Sequence, residues 1–170
     1  MTQRELRSED LRSVRIQVTT LGDLLLLAND RSPGAPALIL PDERLTYAQL
    51  TERAIARARA LQALGVKPRD HVGLLLPTCI EFVEFLFAIA LCGAVAVPLN
   101  ARYRYSELAY VIENGDLVTV ITTAQVADHV NFVERLSQAL PGLDRQTDAR
   151  NLQLAGAPRL RSLVLLGNAD

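Results

Sequence analysis

The sequence predicts an α/β fold, a largely parallel sheet with helices on both faces. Helix-length segments with a 3.6-residue apolar period alternate with short runs of strand length. Those runs, such as His71–Leu76 and Ala94–Val97, are apolar without alternation, as in strands covered on both sides. Turn or capping residues separate the segments, and the order strand, helix, strand, helix, strand, helix, strand follows.

The elements come in order. Residues 1–17 mix Arg4, Glu5, Arg7, Glu9, Asp10, Arg12 and Arg15 and are expected to form a flexible extension; residues 18–170 form the folded unit. Thr20–Ala28 is the first helix, with Thr20 as N-cap, and Ser32–Pro36 is a turn. Ala37–Leu40 and Arg44–Thr46 read as a hairpin. Thr46 and Gln49 form a capping box, in which each side chain satisfies the other's free backbone N–H. The helix they start puts Leu50, Ala54, Ala58, Leu61 and Leu64 on one face, with Arg57 expected to reach along it to the rim. Gly65 supplies the left-handed stop.

His71–Leu76 is the first buried strand, closed by Pro77. Thr78 and Glu81 are expected to form a second capping box for a helix ending near Cys92. Glu81, Glu84 and Ala88 make its one weakly polar stripe. After Gly93 comes a strand over Ala94–Val97, stopped by Pro98, and then a polar loop, Asn100–Tyr105. Ser106 is expected to cap a short helix bearing Leu108, Val111 and Ile112. Leu117–Thr122 is β-branched and reads as a strand. Thr123 is expected to cap a helix with Val126, Val130, Val133 and Leu136 on one face. Pro141–Pro158 reads as a long surface connection, and Ser162–Leu166 as a last strand.

Composition excludes several classes. The net charge is −1, so nothing points to nucleic acid or an anionic membrane surface. Phe85–Val97 is the longest apolar stretch and falls short of the roughly 20 residues of a membrane span. No signal peptide is visible, and a cytoplasmic protein is expected. Cys79 and Cys92 sit near opposite ends of one helix, roughly 20 Å apart. A disulfide needs Cα atoms within about 7 Å, so reduced, buried thiols are expected. His71 and His129 have no Cys or carboxylate at metal-ligand spacing.

Four segments, in order, resemble one family. Leu45-Thr46-Tyr47-Ala48-Gln49-Leu50 is similar to a Leu-Thr/Ser-Tyr segment ending in Glu-Leu. Leu64–Pro68 with Asp70 and Val72 resembles a helix-to-strand turn. Leu76–Phe82 resembles a strand-to-helix entry. Gly93-Ala94, then Val97-Pro98-Leu99-Asn100, with Ser106-Glu107-Leu108 following, resembles a second core motif. Over residues 20 to 125 these are the features of the adenylate-forming acyl-CoA synthetases, and Pro-Leu-Asn followed by Ala-Arg is most similar to the acid–CoA ligases. Two positions depart. Thr78 stands where the family has Asn, and both residues can cap a helix. Arg69 stands where the family has Gly, which costs stability if the turn needs a positive φ.

The resemblance implies an enzyme that activates a carboxylic acid, here expected to be a fatty acid. ATP converts it to acyl-AMP, and CoA then displaces AMP. The full-length family member would use ATP, Mg²⁺ and CoA. The phosphate loop and catalytic lysine are not in this sequence. No two glycines stand closer than eight residues (Gly65 and Gly73), and the only lysine, Lys67, lies in an early turn. The chain is therefore expected to be an incomplete N-terminal ligase subdomain, truncated before the phosphate-binding loop. Alone it is expected to be inactive and to hold no cofactor, and it has no catalytic or metal residue to name. One residue is implied to touch ligand: Arg102, two positions after the Pro-Leu-Asn asparagine, matches an arginine that contacts a CoA phosphate. A guanidinium suits that role because its donors form a planar, permanently charged fork. A solvated loop arginine is the alternative.

Two further readings stand beside the ligase. One is a non-catalytic α/β module that self-associates or pairs with a partner chain, such as a complementing C-terminal part. The other is a small enzyme of another class, which would need a nucleophile that no serine here provides. Tyr103, Tyr105 and Tyr110 beside Arg102 and Arg104 suggest a loop packed on its own sheet rather than a base-stacking surface.

Overall fold

A computed structural model of the protein describes residues 19–124 and 130–167. The expected extension over residues 1–17, and the positions of Val126 and His129, lie outside them. Helix α1 (Leu21–Arg31) is followed by an antiparallel hairpin, β1 (Pro36–Ile39) and β2 (Arg44–Thr46). Then come α2 (Tyr47–Ala63), β3 (His71–Leu75), α3 (Ile80–Leu91), β4 (Val95–Pro98), α4 (Tyr105–Asn114), β5 (Leu117–Thr123), α5 (Phe132–Ala139) and β6 (Ser162–Leu166). Strands β4, β3, β5 and β6 lie side by side in that order, and every pair is parallel.

The unalternating strands are explained by their two covered faces. Val72, Leu74, Leu76 and Ile121 pack with Ala58 and Leu61 of α2 and Phe85 and Ile89 of α3. Leu75, Leu117 and Val120 point the other way, into Leu108 and Ile112 of α4 and Phe132 and Leu136 of α5. A third cluster joins Leu25, Leu45, Leu50, Ala54 and Ile80 beneath the hairpin. Leu74 is fully enclosed, and truncating such a leucine to alanine costs about 2–5 kcal/mol. At Gly73 a Cβ would stand 2.9 Å from Leu117 Cδ1 and 3.2 Å from Leu99 Cδ1, so any larger residue would make these leucines shift.

The few polar groups in the sheet are paired. Thr119 and Ser162 share a hydroxyl hydrogen bond of 2.8 Å, and Thr122 Oγ1 donates to Leu75 O at 3.0 Å. These bonds stitch β5 to its neighbours on both sides, where an unpaired hydroxyl would cost about 1–3 kcal/mol.

The capping box at Thr46 forms as expected: Gln49 N donates to Thr46 Oγ1 at 3.3 Å and Thr46 N to Gln49 Oε1 at 2.9 Å. Thr20 also caps its helix, with Asp23 as reciprocal partner. Gly65 closes α2 with φ +83°.

Four expectations need correction. Thr78 does not cap α3. Cys79 is the N-cap and makes no side-chain cap bond, so the helix starts one residue too late for a Thr78–Glu81 box. Ser106 lies inside the first turn of α4; the cap is Arg104, whose backbone N–H is taken by Glu107 Oε2 at 2.8 Å. Thr123 ends β5, and its hydroxyl donates to Leu166 O. The cap of α5 is Asn131, whose Oδ1 accepts from Glu134 N at 3.0 Å, and this register buries Phe132, Leu136 and Ala139 and leaves Val133 39 % exposed. The connection over 141–158 is not wholly superficial. Leu152, Leu154 and Ala157 enter the α4–α5 core, with no periodicity to announce them.

On the polar stripe of α3, Glu84 and Ala88 are buried and Glu81 is half-buried. Glu84 is 1 % exposed, turned towards α2. Arg53 Nη1 and Arg57 Nε each donate to its carboxylate at 3.1 Å. Arg57, rather than merely reaching the rim, also lays its guanidinium 5.3 Å from the centre of the Phe85 ring.

Candidate functional site

In an open parallel sheet, ligands gather beyond the C-terminal ends of the strands, because the loops there diverge. Here two clefts open at those ends, on either side of the exit from β3. The smaller, about 70 Å³, is lined by Leu76, Pro77, Cys79, Glu81, Thr123 and Leu166. The larger, about 440 Å³, is lined by Leu76, Pro77, Thr78, Ala101, Arg102 and Phe132. Pro77 ends β3 and turns the chain between the two.

Arg102 stands on the wall of the larger cleft, exposed. Pro98 terminates β4, and Asn100 then folds the loop on itself: its Oδ1 accepts the Arg102 N–H at 2.9 Å and its carbonyl accepts the Tyr103 N–H at 3.0 Å. This side-chain mimic of a turn fixes the backbone of Arg102 and leaves its side chain free to reach outwards. Among the described residues no carboxylate pairs with its guanidinium. Tyr103 packs against the α4–α5 core, whereas Tyr105 and Tyr110 are 56 % and 66 % exposed.

The remaining candidates sit elsewhere. Lys67 is in the turn before β3, at the opposite end of the sheet, where its N–H donates to Asp70 Oδ2 at 3.0 Å. His71 is held there too. Its Nδ1 is 2.7 Å from Gly115 O, and since a carbonyl only accepts, that nitrogen carries the proton. Cys92 is buried, with Sγ donating to Ala58 O at 3.5 Å; Cys79 is half-buried, less enclosed than expected. Burial raises the pKa of both thiols above the ordinary value of 9.0, and at Cys79 the Glu81 carboxylate adds to it. Neither is an activated nucleophile. No three His, Cys, Asp or Glu among the described residues could hold a metal ion. None of their helices is long and apolar enough to cross a membrane.

The site therefore offers a permanently charged donor fork beside an apolar wall, at the ligand-binding end of a parallel sheet. One more residue belongs to it that sequence reasoning missed. Arg135 of α5 donates to carbonyls of the Arg102 loop. Nothing local signals this, since an arginine on a short amphipathic helix reads as a solvated charge.

Comparison with known proteins identifies the family. The family model described as AMP-binding enzyme matches residues 27–162. The chain belongs to the AMP-binding enzyme family. A medium/long-chain-fatty-acid–CoA/3-oxocholest-4-en-26-oate–CoA ligase of Mycobacterium marinum is 41 % identical to this AMP-binding chain over 110 residues, covering 65 % of the chain and 20 % of the relative. A 3-oxocholest-4-en-26-oate–CoA ligase of Rhodococcus rhodochrous is 37 % identical over 110 residues, with the same coverage, 65 % and 20 %. Among solved structures, the N-terminal domain of FACL13 from Mycobacterium tuberculosis superposes with a TM-score of 0.68 at 27 % identity, covering 87 % of the chain and 34 % of that structure. The chain spans about a fifth of the length of the curated relatives it matches. The expected fold, the N-terminal part of an adenylate-forming ligase, is the one found.

Proposed function

We propose that this chain forms part of an acid–CoA ligase that activates a fatty acid with ATP, forming acyl-AMP, and then transfers the acyl group to CoA. The observation that carries the reading is the family match over residues 27–162, joined to relatives named as fatty-acid–CoA ligases. Within that reaction the chain supplies the parallel-sheet support and one ligand contact. Arg102 meets a phosphate of CoA. An exposed guanidinium with no paired carboxylate among the described residues has the donor chemistry for it.

The residues in hand do not fit the nucleotide's triphosphate or Mg²⁺. Glycines are nowhere clustered in the sequence, and among the described residues no carboxylates converge. No step of adenylate formation is therefore assigned to this chain, and the isolated chain is proposed to bind no ATP. Titration calorimetry with ATP–Mg²⁺ is expected to give no binding heat, and micromolar affinity would overturn that part. In the complete ligase that carries this segment, Arg102→Ala is expected to raise KM for CoA about tenfold, by the loss of one charge-assisted contact, with pyrophosphate release unchanged. Equal loss in both half-reactions would refute the assignment.

A partner surface is also proposed. Strand β6 pairs on one side only among the described strands, and Leu165 is 46 % exposed. An open parallel edge of this kind favours a complementing strand, from the rest of the ligase or from a second copy. A stable, monodisperse monomer by light scattering would count against it. Free thiols at Cys79 and Cys92 support a cytoplasmic setting.

A further inference from the structure

The loop that carries Arg102 is fastened from a different part of the chain. Arg135 Nη1 donates to Ala101 O at 3.0 Å and to Tyr103 O at 2.8 Å, the two carbonyls that flank Arg102. Asn100 Oδ1 holds the Arg102 N–H itself. The backbone of Arg102 is thus tied on three sides, while its side chain stays exposed.

The helix that supplies the tie is firmly seated. Asn131 caps it, and Phe132 and Leu136 are 1 % and 2 % exposed. Phe132 also lines the cleft on which Arg102 stands. One helix therefore shapes the cleft wall and sets the loop above it. No carboxylate among the described residues forms an ion pair with Arg135. Its charge is spent on neutral carbonyls, and it adds positive potential under a loop that already offers a guanidinium.

We infer that Arg135 is a positioning residue that presents Arg102 to an anionic ligand group. The inference rests on the reading of Arg102 as the contact to a CoA phosphate. A guanidinium is suited to the task because its donors diverge in a fixed plane and keep their charge at any working pH. A lysine ammonium is a point donor on a shorter reach, and it holds the same carbonyls less well.

The tie and its use can be tested separately. Trypsin cuts after Arg102 and Arg104, and the rate at a folded site follows the population of the locally open form. In the present chain, Arg135→Met keeps the aliphatic stem and removes the donors. Cleavage at Arg102 and Arg104 is expected to rise about tenfold, the loss of one such bond's worth of stability, with cleavage at Arg57 unchanged. Arg135→Lys should restore part of the protection. Unchanged cleavage at the loop, or an equal rise at Arg57, would overturn the inference.

In the complete ligase, Arg135→Met is expected to raise KM for CoA about fivefold, less than Arg102→Ala, and to leave pyrophosphate release within about twofold. If Arg102→Ala raises KM for CoA and Arg135→Met does not, the positioning role fails. If Arg102→Ala leaves KM for CoA unchanged while Arg135→Met still loosens the loop, the CoA reading fails and the tie stands.

Discussion

Arg57 Nε donates to Glu84 Oε2 at 3.1 Å, joining α2 to α3 across 27 residues of sequence. Arg53 completes the cluster, and the side chains alone are unequally exposed, that of Glu84 to 2 %, of Arg53 to 46 % and of Arg57 to 41 %. The carboxylate is committed to its partners, whereas each arginine can turn to water.

That asymmetry predicts which side of the cluster is costly to remove. The double variant Arg53→Ala, Arg57→Ala leaves a buried carboxylate unpaired and is expected to lose about 3–5 kcal/mol. Glu84→Met fills the same space and leaves two half-exposed cations, of which Arg53 keeps Glu43 at 3.5 Å, so it should lose under about 2 kcal/mol. Urea unfolding midpoints of the two variants check the order. A larger loss for Glu84→Met would show that the charges are needed for more than mutual compensation.

Arg69 has φ +70°, a left-handed backbone that a side chain resists. In that conformation its N–H donates to Gly93 O at 2.8 Å. Arg69→Gly is expected to stabilise the chain by about 0.5–1 kcal/mol, the αL penalty less the added freedom of an unfolded glycine. Asp116, at φ +52°, should gain less from the same change, because Asp tolerates this region. Thermal melting of both variants decides it.

The buried thiols predict the alkaline limb of stability. Cys92 ionises at an ordinary 9.0 when unfolded and at higher pH when folded, because burial disfavours the thiolate. Stability from this group is flat below pH 9.0. It falls as pH rises beyond that value, since the unfolded state then releases the proton first. Cys79 acts in the same sense. Denaturation measured from pH 7 to 10 is expected to show a shallower decline for Cys92→Ala than for the parent chain. An unchanged decline would mean that other groups set the limb.

Much of the fold was legible because its signals are local. The Thr46–Gln49 box, the Gly65 stop and the apolar run at His71 each declare themselves within a few residues. What stayed hidden was decided by distant packing. Glu84 looks like a favourable charge in the second turn of a helix, and only the approach of α2 buries it. Leu152, Leu154 and Ala157 follow no period, so nothing marked them as core. The start of α5 is set by Asn131, whose side chain caps Phe132–Ala139. At the site, Arg102 came from the resemblance rather than from spacing, and Arg135 needed the folded chain to bring it within 3.0 Å of Ala101 O.

The position of β3 has a consequence for how the protein is made. Of the four parallel strands it is synthesised first, yet it lies between β4 and β5. As the nascent polypeptide emerges, His71–Leu75 has both rims open until Val95–Pro98 and then Leu117–Thr123 arrive. The local helical cluster of α1, α2 and α3 can gather earlier, from contacts close in sequence. The run Leu74-Leu75-Leu76 is therefore a segment in need of shelter during translation.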